Sequence, residues 1–189
     1  MRRGVLWPTL VLFGVEAVEI LPGATVVTPL NFVRYPYSHS LIALIVWAIL
    51  LGFMYVLLRG ARAKAGLVIE ALVLSHWVLD VMTHRRDIPV TIWGSERLGL
   101  GLWNSLPGTL AVELPLFAVG VALYVTSTKA FDRSGRVGLG ALVAFLVILY
   151  LVNIFGPPPP STTAVAWAAE AMWLLIVWGY CVDRHRRPQ

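Results

Sequence analysis

The chain has 189 residues, of which 58% are hydrophobic and only 13% charged, and its mean hydropathy is +0.77. That charged share is about half the roughly 25% of a soluble domain, so there is too little polar surface to cover a water-soluble globule, and a soluble enzyme, a disordered tail and a disulfide scaffold are excluded. The net charge of +5 sits in short stretches between apolar runs, which points to anionic lipid and membrane topology rather than to nucleic acid.

About 20 apolar residues cross a bilayer as a helix, and the sequence offers six such segments in one all-α domain spanning residues 1–189. Val5–Leu21 is the weakest, because Glu16 and Glu19 lie near its end; if it does not cross, five spans remain. Met1-Arg2-Arg3 opens it like a signal peptide, but the glutamates follow closely and no small-residue cleavage site is evident. Pro22-Gly23 breaks it, and Pro29 and Pro36 keep the next stretch extended. Ser40–Leu58 carries no charge, and Ala65–Thr83 is apolar apart from Glu70, His76 and Asp80. The loop that follows contains Arg85, Arg86 and Arg97, then Trp93 and Trp103, and reads as a re-entrant or interfacial segment with its tryptophans at headgroup level. Pro107–Thr128 carries only Glu113, Val137–Phe155 no charge and Thr162–Val182 only Glu170. Gly156 and the Pro157–Pro160 run make a stiff turn between the last two spans. These long continuous runs do not alternate, which argues against a β-barrel. The lone Cys181 excludes an internal disulfide and a paired-cysteine zinc site.

Lysine and arginine orient the six spans. Eleven of the fifteen fall on one side: Arg2 and Arg3, the loops at 59–64 and 129–136, and the C-terminus. The positive-inside rule places that side, with both termini, in the cytoplasm of an inner-membrane protein. His39, His76, Asp80, His84, Glu16 and Glu113 then share the outer half of the bilayer.

His76, Asp80 and His84 are spaced i, i+4, i+8. Each step of four drifts by about 40°, so an unbroken helix would hold all three on one face. That is how a helix offers several ligands to one metal. With His39 arriving from another helix, the expected ligand set is His39, His76, Asp80 and His84. Imidazole and carboxylate suit zinc, iron or manganese. Glu113 or Glu16 is the expected general base. Arg85 and Arg86, with Arg34, Arg97 and Asn104, are the expected contacts for an anionic headgroup. Spacing alone leaves three readings open: a metal or catalytic site, a proton or solute pathway as in a small permease, and polar helix packing in a non-catalytic scaffold.

The strings Tyr37-Ser38-His39-Ser40 and Ser75-His76-Trp77-Val78-Leu79-Asp80 resemble the His-Ser and Ser-His-x-x-x-Asp pattern of bacterial membrane-bound metal-dependent hydrolases. These are small polytopic inner-membrane proteins, similar in pattern to zinc-dependent phospholipases C. The closer resemblance is to a branch of polytopic, permease-like membrane proteins; it extends over about residues 5–125 and takes in Leu6-Trp7-Pro8, Pro36-Tyr37-Ser38-His39-Ser40 and the stretches Ser75–Pro89 and Gly99–Ser105. Gly4 stands near a position where such proteins carry an acidic residue, and Ala17 where they tend to carry a histidine. The resemblance implies a zinc-dependent hydrolase acting on a phosphate ester of a lipid or lipid-linked compound, with membrane lipids as partners.

Overall fold

The computed structural model describes residues 17–23 and 25–189. Two short antiparallel strands open it: β1 (Ala17–Ile20) and β2 (Leu30–Arg34), in register Ile20↔Leu30 and Glu19↔Asn31. The end of the first expected span is therefore strand rather than helix. Glu16 and the remainder of that span lie outside the described residues. The glutamate at position 19 explains the strand end: its Oε2 accepts from Asn31 Nδ2 at 3.2 Å, a cross-strand polar pair that a lipid-facing helix would leave unmatched.

Five long helices follow, each long and apolar enough to cross a membrane: α2 (Leu41–Arg59), α3 (Ala63–Thr83), α4 (Leu106–Ser127), α5 (Arg133–Phe155) and α6 (Thr162–Arg184). A one-turn helix, α1 (Pro36–His39), precedes α2, with proline at its start where the missing N–H costs nothing. Their large side chains, such as Leu58, Leu174 and Ile176, are mostly exposed, as expected of helices solvated by lipid. The chain is thus a multi-pass helical membrane protein. It divides into two compact units, residues 1–105 and 106–189.

In the first unit α2 and α3 form an antiparallel hairpin. Gly60, at φ 58°, ends α2 in the left-handed conformation that glycine adopts without strain. The helices approach closely: a Cβ on Gly52 would lie 2.9 Å from the Gly66 carbonyl oxygen. Ala43, Leu44, Ala48 and Gly52 form the buried stripe of α2. Small residues at such a crossing substitute dispersion contacts for the hydrophobic effect, which lipid does not supply.

The segment from His84 to Ser105 folds back on this hairpin. It contains the paired strands β3 (Ile88–Pro89) and β4 (Arg97–Leu98) and a 3₁₀ turn, Leu102–Asn104. Val90 O accepts from Ile42 N at 3.3 Å, while Leu100 N and Gly101 N donate to Val81 O and His84 O, both at 2.7 Å. The loop thereby ties the start of α2 to the end of α3. Gly99 is obligatory there, because a Cβ on it would stand 1.9 Å from the Arg85 carbonyl oxygen.

The second unit holds α4, α5 and α6. Its helix starts are capped: Asp132 Oδ1 accepts from Gly135 N at 2.8 Å and Ser161 Oγ from Ala164 N at 3.1 Å. Strands β5 (Thr128–Ala130) and β6 (Arg186–Pro188) pair to join the end of α4 to the C-terminus.

Candidate metal centre

His39 ends α1, while His76 and Asp80 lie one turn apart near the end of α3. The hairpin is antiparallel, so both ends meet at one face. One ligand atom from each of the three residues lies within 4.8 Å of the other two, the one such group among the described residues. Asp80 Oδ2 stands 3.2 Å from His76 Nε2 and 3.8 Å from His39 Nε2. That oxygen is buried, and its geometry forms no hydrogen bond. Three Lewis-basic atoms therefore converge on a common point without satisfying one another, and a buried carboxylate oxygen left so is costly unless a cation completes it. Two imidazoles and one carboxylate fit a divalent ion of the zinc, iron or manganese type.

The orientation of His39 is set from behind. Its Nδ1 lies 2.7 Å from Ser38 Oγ, and that hydroxyl donates to Tyr35 O at 3.4 Å. With Nδ1 engaged, Nε2 is the nitrogen turned to Asp80 and His76. Tyr35 packs edge-on against the His39 ring, at a centroid distance of 4.8 Å. Burial, followed by the charges of His76 and His84, lowers the His39 pKa to about 3. The ring is therefore neutral at physiological pH, as a ligand must be.

His84 does not join the group. The helix ends at Thr83, and His84 adopts extended dihedrals of φ −70° and ψ 153°. The i, i+8 extrapolation fails at that point, because it needs one more turn of helix. His84 instead places Nδ1 3.1 Å from Asp87 Oδ1 and packs its ring on Trp103 at 4.6 Å. Trp103 thus carries a packing contact, whereas Trp93 is 84% exposed.

Asp87 is the hub that sequence reasoning missed. Tyr35 Oη donates to Oδ1 at 3.2 Å and Arg85 Nε to Oδ2 at 3.3 Å, beside the His84 contact. Burial pushes the Asp87 carboxyl up, but His84, Tyr35 and Arg85 outweigh it and hold the group below the usual carboxylate range. Tyr35 is pushed well above the ordinary phenol value by burial and by the Asp87 charge, so it stays a proton donor. The His84-x-x-Asp87 spacing and the Tyr35-Pro36 step were the available signals. Each is short and common, and neither reveals that a loop returns to the helix end.

The remaining expected residues divide. Arg85 is committed to Asp87 and to Asn31 Oδ1, Arg86 is exposed, and Asn104 closes the 3₁₀ turn by donating its N–H to Gly101 O at 2.9 Å. Glu113 lies on α4, in the other compact unit.

Against this geometry, no family model matches the chain, and no curated protein or solved structure matches it.

Proposed function

We propose that this protein is a membrane-embedded metal-dependent hydrolase whose ion is held by His39, His76 and Asp80. One observation carries the reading: three ligand atoms within 4.8 Å of one another, including a buried Asp80 oxygen with no hydrogen bond. Zinc is the natural occupant of two imidazoles and a carboxylate, and three protein ligands leave a position open for chemistry. An ion bound there would lower the pKa of a water toward neutrality and make it a nucleophile.

The chain's own residues orient and tune. Ser38 and Tyr35 fix the His39 ring, and burial keeps it neutral. The substrate class is a phosphate ester of a lipid or lipid-linked compound. In its hydrolysis the water oxygen bonds to phosphorus, the ester P–O bond breaks, and the departing alcohol takes up a proton from water. The protein resides in a bacterial inner membrane, with its basic loops and C-terminus cytoplasmic and the His/Asp group at the opposite face.

Metal content of the full chain, purified in detergent and measured by mass spectrometry, tests the reading. About one zinc, iron or manganese ion per chain is expected, and its loss in His76→Ala/Asp80→Ala. A well-folded wild type that takes up no metal when grown with added zinc sinks the proposal.

A further inference from the structure

The first unit contains an open cavity of about 420 Å³ that meets the His/Asp group through Tyr35, which packs on His39. Tyr35 and Asp87 line it, together with Pro89, Trp93, Gly94 and Arg97 of the hairpin loop. Tyr35 is thus shared: one part of it walls the cavity while its ring packs on the ligand His39.

The charges of the cavity are unequal in their commitments. Asp87 already receives Tyr35, His84 and Arg85, and Arg85 matches its charge. Arg97 is exposed and forms no ion pair among the described residues. Its Nη1 donates to Gly94 O at 2.9 Å and Glu96 O at 3.0 Å, which fixes the guanidinium on the hairpin. The hairpin is itself held by the Pro89↔Arg97 pairing, Val90 N to Glu96 O, and Thr91 Oγ, which accepts from Gly94 N at 2.7 Å. The Nε and Nη2 donors of Arg97 therefore remain without a protein partner among the described residues. A preorganised guanidinium with free donors in a roomy, polar-lined cavity is suited to two-point recognition of a phosphate. Trp93, at the tip of the same hairpin, belongs to the residue type that settles at the membrane–water boundary.

We infer that this cavity is the recognition site for the phosphate group of an anionic substrate, with Arg97 as the residue that binds it and Trp93 seating the hairpin at the membrane face. The inference rests on the hydrolase reading for its substrate class, and among the expected headgroup contacts it singles out Arg97. The phosphate can belong to an anionic lipid or to a soluble ester, and the chemistry at Arg97 is the same for both.

The test is a fluorescence titration of the full chain in maltoside micelles with phosphatidic acid, with phosphatidylcholine and with glycerol phosphate. The tryptophan signal is assigned by its loss in Trp93→Phe, and metal content is measured on the same samples. Saturable binding of phosphatidic acid over phosphatidylcholine is expected. Arg97→Gln should weaken it about tenfold or more, the usual effect of losing a charge-assisted hydrogen bond. Arg97→Lys should restore part of it, and Arg86→Gln, which removes the same charge from an exposed loop site, should change nothing. Tight binding of glycerol phosphate assigns a soluble ester, and its failure beside phosphatidic acid binding assigns a lipid. Equal binding by Arg97→Gln and wild type overturns the inference while leaving a metal-loaded centre intact. Arg97-dependent binding in a chain that holds no metal overturns the hydrolase reading and leaves the phosphate site standing.

Discussion

Two of the histidine–aspartate contacts, one in each compact unit, use the same residue types and differ in kind. His185 Nδ1 lies 2.6 Å from Asp132 Oδ2, while the other Asp132 oxygen caps α5 through Gly135 N. His185 stacks on Phe131, and Arg186 donates to Thr128 O and Gly135 O alongside. Every polar atom named there has a partner, and the assembly clasps the C-terminus to β5. Around Asp80 the same residue types stop short of closing: the 3.2 Å approach of His76 leaves Oδ2 without a hydrogen bond. A satisfied pair is architecture, whereas three ligand atoms that converge without satisfying one another could hold a cation. Half-exposed His76 fits that distinction.

That contrast can be broken most directly at Asp80. Asp80→Asn keeps the shape and removes the charge, and is expected to reduce bound metal from about one ion per chain to a small fraction by mass spectrometry. Asp132→Asn, its counterpart, should leave metal content unchanged. Next in size is Gly99→Ala, which drives a Cβ into the Arg85 carbonyl. A loss of about 3 kcal/mol, the upper end for single substitutions, is expected as a lower melting temperature in detergent, with metal affinity falling as the loop detaches. Ser38→Ala removes the group behind His39 Nδ1 and should cost about 10–100-fold in metal affinity, the usual effect of an outer partner, by competition with a chelating dye. Ser40→Ala deletes a fully buried cap that accepts from Ala43 N at 3.2 Å and should cost about 1 kcal/mol. The exposed cap Ser161→Ala should cost less.

The smallest effect is a pH effect on the clasp. The Gly135 N–H and then His185 hold the Asp132 carboxyl below its ordinary value of 3.8. Its contribution is complete above pH 3.8 and fades as the pH falls through the lower folded value. Hydrogen exchange at Arg186–Gln189 should quicken in that window, while exchange at the Val81–Leu100 contact stays slow.

The spans from residue 40 onward were legible because hydropathy and length dictate them. Ser40–Leu58 and Val137–Phe155 carry no charge to blur their ends, and the helices begin and end within a few residues of these bounds. The meeting of His39, His76 and Asp80 was legible through the i, i+4 step of α3 and the histidine before α2. His84 was not, since nothing in its neighbourhood announces that the helix stops at Thr83. The strand at Ala17–Ile20 was hidden by an apolar composition that suits helix and strand alike. Arg97 was legible as a basic loop residue. Its place at a cavity follows from hairpin pairing that two-residue strands encode too weakly to read.

The three-residue turn Gly60–Arg62 between α2 and α3 has a kinetic meaning. His39 and Asp80 are distant in sequence, yet they meet because two antiparallel helices return the chain to the same face. Closing so short a connection costs little chain entropy, and contacts that propagate from it form by zippering rather than by a long-range search. His39, His76 and Asp80 are therefore gathered by a local helix hairpin rather than by a long-range pairing.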